Sequence, residues 1–171
     1  MIAITTGTTS WRQADNFGAN EVEFVGEFLY EPDGVTPAMV WDDAIQNVRP
    51  RTDVEQQVIG AAQMWERVKA ERDRRIQEQG YVVADKRFHG DTFSRTQQMG
   101  LVMLGANIPP GLQWKTMDGS FVTMTPTLAQ QIFGAAAASD IALFGYAEQL
   151  RARVNAAQDP SSVDIFAGWP E

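Results

Sequence analysis

The sequence predicts an α+β protein in which a β-rich N-terminal arm precedes a helix–ribbon–helix–hairpin–long-helix body. Three observations indicate this class. Residues 21–24 alternate acidic and apolar side chains with the period of a strand. Two long segments carry apolar residues at alternating spacings of four and three, the helical spacing. Asp118-Gly119 separates two β-prone runs, a typical hairpin signal.

Residues 1–50 form the arm, which we expect to dock on neighbouring proteins. Gly26 shifts the phase of the alternation and indicates a bulge or bend. The residues Glu-Pro-Asp-Gly at 31–34 predict a turn, because Pro32 presets φ and glycine relieves the backbone. Residues 37–50 fit either a strand or a short helix, and the pattern does not separate the two.

A first helix is predicted over residues 53–79. Thr52 and Glu55 match the Thr-x-x-Glu capping box, and Gly80 supplies the C-cap. The apolar residues of its first half follow heptad spacing: Val54, Val58, Ala61, Trp65 and Val68. Two interpretations stay open. The stripe either packs on the chain's own core or forms a seam between subunits.

A ribbon follows over residues 81–88, with its turn at Ala84-Asp85. Asp91 is the expected N-cap of a second helix over 92–106, which "NIPPG" ends. Beyond the hairpin, Thr125 and Pro126 predict the N-cap and first turn of the last helix. Its expected apolar stripe has helical spacing and small residues at its centre: Leu128, Ile132, Ala135, Ser139, Ala142, Tyr146 and Leu150.

The chain therefore divides into an arm (1–50), a helical body (51–158) and an acidic C-terminal tail (159–171). In the tail, Trp169 is either an anchor on a partner or part of a frayed end. We predict an interface between subunits or with neighbouring proteins, made by residues from both long helices and the tail: Val54, Val58, Trp65, Ile132, Leu143, Tyr146, Leu150, Phe166 and Trp169.

The residues predict no catalytic, cofactor-binding or metal site. His89 is the only histidine and cysteine is absent, whereas a zinc site needs three or four such ligands. Asp91 and Ser94 near it are expected to cap a helix rather than complete a triad. Paired carboxylates at Asp42-Asp43 and at Glu21 and Glu23, together with Asp33, leave a hydrolase as a weaker alternative.

The charge distribution argues against nucleic acid as a partner. The net charge is −8, with −6 over residues 1–53, +1 over 54–158 and −3 over 159–171. Acidic ends repel phosphate backbones, although they serve solubility equally well. In the basic stretch, Glu66 and Glu71 can pair with basic residues one turn on. No apolar run reaches 18 residues, so no membrane span is expected.

The order of several short motifs resembles a known family. A charged helix and a ribbon come first, and they lead into Arg87, Phe88, Asp91, Ser94 and Arg95. A hairpin follows that contains Trp114, Thr116 and Asp118. An alanine-rich helix over residues 126–157 completes the order. Over residues 64–157 this order is similar to a phage-encoded domain of unknown function, family 4376, found in tail-fibre and tail-assembly proteins. The family supplies no catalytic residues.

The resemblance implies a structural joint between the ribbon and the second helix. In this joint Phe88 fills the core and Asp91 caps the second helix. Arg87 and Arg95 brace the corner, and position 89 need not be histidine. It also implies a non-enzymatic component of a bacteriophage tail, at a fibre, tip or adaptor position. We expect such a protein to be made in the bacterial cytoplasm and located in the virion. Its expected partners are itself, with a trimer favoured, and other tail proteins. A tail-fibre assembly chaperone is the alternative.

Overall fold

The computed structural model describes residues 1–31 and 33–170, and these form two compact units, Met1–Ile59 and Gly60–Glu171. The first unit contains β-strands and the start of a helix, and the second contains helices with two small hairpins. The α+β class predicted from the sequence is confirmed. The turn proposed at 31–34 depends on Pro32, which lies outside the described residues.

The first unit contains five short strands: β1 (Ile2–Thr5), β2 (Trp11–Gln13), β3 (Glu21–Phe24), β4 (Met39–Asp42) and β5 (Asn47–Pro50). The first three form an antiparallel sheet in the order β2-β1-β3. β4 and β5 pair as a hairpin, which settles the ambiguity over residues 37–50 in favour of strands. Ile4, Phe28, Met39 and Val48 form the buried core.

The first helix, α1 (Asp53–Glu78), begins in the first unit and ends in the second. The predicted capping box is confirmed. The main-chain N–H of Thr52 donates to the Glu55 carboxylate at 2.8 Å, and the Glu55 N–H donates to the Thr52 hydroxyl at 3.3 Å. These bonds satisfy two donors that a helix start otherwise leaves open.

A two-residue turn joins β6 (Tyr81–Val83) to β7 (Lys86–Phe88), as the sequence predicts. Ala84 and Asp85 have φ values of 48° and 59°, the left-handed conformation that such hairpin turns require. The second hairpin, β8 (Gln113–Lys115) and β9 (Phe121–Thr123), turns at Asp118-Gly119.

Two further helices complete the second unit. α2 (Thr92–Leu104) has Asp91 as its N-cap. α3 (Pro126–Ala156) has Thr125 as its N-cap and proline in its first turn. All three features were predicted, because capping depends on residues within one turn of each other.

The buried stripe of α3 differs from the predicted one. It consists of Ala129, Ile132, Ala136, Leu143, Ala147, Leu150 and Val154. Beyond Ile132 most of it lies one residue later than the predicted series, so Ala135, Ala142 and Tyr146 give way to Ala136, Leu143 and Ala147. The helix is apolar around most of its circumference, and the spacing alone does not fix which side faces the core.

Two apolar clusters form the core of the second unit. One joins Met64 and Val68 of α1 to the C-terminal half of α3 and to Ile165 and Trp169 of the tail. The other joins the ribbon, α2, the hairpin and the first half of α3 around the fully buried Phe88. The tail predicted as a separate segment therefore contributes to the core.

Trp169 is 7% exposed, and its indole N–H donates to the carbonyl of Ile165 at 2.8 Å. Its ring lies 5.0 Å from that of Tyr146, and the Tyr146 hydroxyl donates to the carbonyl of Ala167. The expectation of a partner anchor or a frayed end at Trp169 is therefore wrong. Among the described residues, no helix combines the length and apolar content that crossing a membrane requires.

Candidate functional site

The corner between the ribbon and α2 is held by Arg95. Its Nε donates to the carbonyl of Gly90 at 2.7 Å, and its two Nη atoms donate to the carboxylate of Asp140 at 2.6 and 2.9 Å. Bidentate pairs of this kind fix geometry as well as contributing energy. Because Asp140 lies on α3, one side chain connects the end of the ribbon, α2 and α3.

The other residues of the joint make local contacts. Phe88 is fully buried, and the Asp91 carboxylate accepts from the main-chain N–H of Ser94 at 3.0 Å and from its hydroxyl at 2.7 Å. The hydrogen bonds from Ser94 hold the pKa of Asp91 below its usual range. Arg87 donates to the carbonyl of Gln79, just after α1, at 2.8 Å.

Two glycines allow the joint to close. A Cβ at Gly90 would lie 2.3 Å from the carbonyl oxygen of Ile76, and one at Gly80 would lie 2.2 Å from that of Phe88. The neighbouring His89 uses its main-chain carbonyl, which accepts from Gln98 at 3.1 Å. The contacts that close the corner thus depend on small residues and arginines.

The carboxylates considered for a hydrolase lie in local structural interactions. Asp42 accepts from Arg49 at 2.7 Å, and Asp43 accepts from the indole of Trp41 at 2.8 Å. Glu21 forms a double hydrogen bond with Arg12, at 2.7 and 2.5 Å.

The hydrogen bonds from the two arginines stabilise the ionised carboxylates of Asp42 and Glu21. The hydrogen bond from Arg49 lowers the pKa of Asp42, and the one from Arg12 lowers the pKa of Glu21 to about 2. A general acid in a glycosidase needs a raised pKa, so neither group is suited to that role. Within residues 1–31 and 33–170, no three acidic or histidine side chains converge as a metal site would require.

The residues predicted at an interface separate into three groups by exposure. Ile132, Leu143, Leu150 and Trp169 are buried in the chain's own cores, and are therefore not available to another subunit. Trp65 and Tyr146 are partly buried against the same core. Val54, Val58 and Phe166 are exposed.

The exposed valines form part of a shallow apolar hollow in the first unit. It has a volume of about 260 Å³ and is lined by Val40, Val54, Val58 and Ile59, with Arg51 and Glu55 at its rim. Both rim charges are engaged, Arg51 with Glu31 and Glu55 with Arg49. The hollow is therefore an apolar contact surface without a free charge.

A larger apolar surface lies on α3, and we call it the α3 outer face: Phe133, Gly134, Ala137, Ile141, Phe144 and Gly145. All six residues are exposed, as are the neighbouring Ala138 and Ala142. No exposed position from 132 to 147 carries a polar side chain. The ring of Phe144 is held by the guanidinium of Arg72, whose carbon lies 4.2 Å from the ring centre.

The sequence contained a signal for the α3 outer face that the predicted apolar stripe did not include. From Pro126 to Ala147 the only charged residue is Asp140. The segment therefore lacks the charged, solvent-facing side of an ordinary amphipathic helix. One apolar side serves the chain's own core, and the other is exposed apart from the contact of Arg72 with Phe144. Contiguous exposed apolar surface of this kind marks interaction sites.

Comparison with known protein families identifies one match. Residues 60–167 match the model of DUF4376, described as a domain of unknown function. No curated protein and no solved structure matches the sequence. The matched segment corresponds to the second compact unit and includes the joint and the α3 outer face. Because it spans more than half of the 171 residues, the chain belongs to the DUF4376 family.

Proposed function

We propose that the protein is a non-enzymatic structural component of a bacteriophage tail, at a fibre, tip or adaptor position. It acts by associating with itself and by docking on neighbouring tail proteins. The observation that supports this proposal is the α3 outer face, four helical turns of exposed apolar surface. The similarity of residues 64–157 to a domain of phage tail-fibre and tail-assembly proteins directs the proposal to the tail.

The joint gives this surface a rigid support. The Arg95–Asp140 pair fixes α2 against α3 in the middle of the outer face. Asp140 is the only charged residue in that part of α3, and Arg95 neutralises it. A partner that covers the face therefore does not have to desolvate an unpaired charge of α3. A rigid apolar surface loses little conformational entropy on binding.

Mass spectrometry of purified particles tests the proposal, using the phage or prophage whose genome encodes the chain. A stoichiometric amount of the protein in the particle is expected. Ile141→Glu places a charge on the α3 outer face and should prevent incorporation, whereas Met103→Glu, an equally exposed apolar position on α2, should not. Absence of the wild-type protein from particles contradicts the proposal.

A tail-fibre assembly chaperone is the second candidate, because the same apolar face suits transient binding of fibre polypeptide. Such a protein would be required for particle formation but missing from the finished particle. A tail-associated hydrolase has less support, since ion pairs with Arg49 and Arg12 hold Asp42 and Glu21 in the ionised form. A peptidoglycan or polysaccharide cleavage assay on the wild type and on Asp42→Asn/Asp43→Asn tests it.

A further inference from the structure

The second unit has another open surface, a cleft between β6 and α3 that we call the β6 cleft. It has a volume of about 430 Å³, and its lining includes Val82 and Arg87 of the ribbon and Ala135, Ala138, Ser139 and Ala142 of α3. We propose that the β6 cleft binds an extended acidic segment of a partner protein, which adds to β6 as a further strand and pairs a carboxylate with Arg87. This inference goes beyond the proposed function, because it concerns a different surface and holds whether or not the protein is part of a tail.

The main chain of Val82 is open on the outer edge of β6. Val83 and Lys86 flank the two-residue turn, so they exchange the hydrogen bonds next to it. Because main-chain groups alternate in direction along a strand, those of Val82 and of its cross-strand neighbour Arg87 point away from the ribbon. The Arg87 carbonyl has this direction, since it accepts from the N–H of Met117 at 2.9 Å.

The outward groups of Val82 have no such partner. Among the described residues, no main-chain group bonds to its N–H or its carbonyl, and the residue is 53% exposed. A strand edge with a free donor and a free acceptor is a template for another extended chain. The edge of β6 therefore offers two main-chain hydrogen bonds to an added strand.

The α3 side of the cleft leaves room for that strand. Ala135, Ala138, Ser139 and Ala142 follow one another at helical spacings of three and four, and Ala138 and Ala142 are exposed. Their small side chains keep the cleft open, and its volume lies within the range of about 300–1,000 Å³ that is typical of binding sites. The stripe is apolar apart from one hydroxyl group.

Arg87 gives the cleft an unbalanced positive charge. Within the part of the chain that the structure describes, its guanidinium makes one hydrogen bond, from Nη1 to the carbonyl of Gln79 at 2.8 Å, and no ion pair. The acid near it on the α1 side, Glu78, is paired with Arg74 at 2.6 Å. A guanidinium carries five N–H donors, so most of them remain for a carboxylate from a partner.

Together these features select the kind of partner. Val82 and Arg87 share one face of the ribbon, whereas Tyr81 lies on the opposite face and packs with Ile132 and Ala136 of α3. An added strand therefore directs alternate side chains towards Arg87 and towards α3. Acidic residues suit the first direction, and small apolar residues suit the second. A helical partner would leave the main-chain groups of Val82 unpaired.

Synthetic peptides test the two requirements separately on the full chain. The probe is a fluorescein-labelled peptide with blocked ends, Ser-Glu-Val-Glu-Val-Glu-Ser, and fluorescence anisotropy measures its binding. It should bind at least about tenfold more tightly than the same peptide with lysine in place of glutamate, because a charged hydrogen bond to Arg87 is lost. Methylation of the two valine main-chain nitrogens should weaken it at least about threefold, because it removes donors to the strand edge.

Three results of this experiment overturn the proposal. The glutamate peptide does not bind, or the lysine peptide binds as tightly. Alternatively, the methylated peptide binds as tightly as the unmodified one, which indicates a simple anion site without strand addition.

A pair of variants at one position tests whether the binding occurs in the β6 cleft. Ala138→Glu and Ala138→Lys alter an exposed helical position with side chains of similar size and helix propensity. The glutamate variant places a carboxylate in the cleft beside Arg87 and should weaken binding of the glutamate peptide at least about fivefold. The lysine variant adds a second cation and should bind this peptide at least as tightly as the wild type does. Equal affinities of the two variants overturn the proposal.

Discussion

Arg95 on α2 and Asp140 on α3 form two parallel hydrogen bonds, of 2.6 and 2.9 Å, across 45 residues of sequence. Both side chains are largely shielded from water. Their pairing joins the structural joint to the helix that carries the α3 outer face. The same contact therefore stabilises the second unit and neutralises the one charged side chain in the apolar part of α3.

Replacing Arg95 with glutamine should destabilise the second unit by about 2–4 kcal/mol, because it leaves the Asp140 carboxylate without its cation in a shielded position. Urea unfolding followed by tryptophan fluorescence measures the change. Arg151→Gln is the matched control, since its pair with Glu148 is longer, at 3.6 Å, and more exposed. The control, which also loses a cation–π contact with Trp65, should lose less than about 1 kcal/mol. Equal losses would show that the Arg95 contact has no special role.

Two glycine-to-alanine variants should have opposite effects. Gly90→Ala puts a Cβ 2.3 Å from the Ile76 carbonyl oxygen, so the joint must open, with an expected loss of more than about 1 kcal/mol. Gly100→Ala in α2 meets no atom within 4 Å and should stabilise the unit by about 0.5–1 kcal/mol. Thermal unfolding separates the two. Gly90→Ala at wild-type stability would contradict the tight joint.

The C-terminal tail should stabilise the second unit through Trp169. Trp169→Ala removes a ring that is only 7% exposed and should cost about 3–5 kcal/mol. Phe166, three residues earlier and 57% exposed, serves as the control, and Phe166→Ala should cost less than about 1 kcal/mol. Denaturant unfolding of both variants provides the comparison. A tail that merely frays would give the same small change for both residues.

The parts of the fold that the sequence predicted are those set by neighbouring residues. The Thr52–Glu55 capping box, the Asp91 cap and the turn at Asp118-Gly119 each involve groups within a few positions. Short-range spacing determines such contacts, and the structure contains all three.

The parts that the sequence did not predict depend on contacts between distant residues. The pair of Arg95 and Asp140 joins separate helices, and Trp169 reaches its pocket only when the tail returns to α1 and α3. The buried side of α3 was misplaced beyond Ile132, because a helix that is apolar all round has no unique phase. The α3 outer face follows from that same feature, and only the three-dimensional exposure of Phe133 and Ile141 reveals it.

Acid should weaken the second unit through Glu71. This buried carboxylate accepts hydrogen bonds from Arg74 at 2.8 and 2.9 Å and from Arg75 at 2.7 Å, and these, led by Arg74, lower its pKa. A lowered folded-state pKa contributes stability above the ordinary glutamate value of about 4.3, and that contribution is lost as the pH falls below it.

Glu71→Gln should therefore be less stable than the wild type at pH 7, with a gap that narrows below about pH 4. Urea unfolding at a series of pH values gives the two curves. Curves that stay parallel down to acid pH would show that Glu71 contributes no pH-dependent stability.

The central claim is that the protein functions through association at the α3 outer face, and sedimentation velocity of the full chain over a range of concentrations tests it most directly. We expect self-association that increases with concentration, that Ile141→Glu abolishes and that Met103→Glu, at a similarly exposed apolar position, leaves unchanged. A wild-type chain that stays monomeric at every concentration, or an Ile141→Glu variant that associates like the wild type, would contradict the claim.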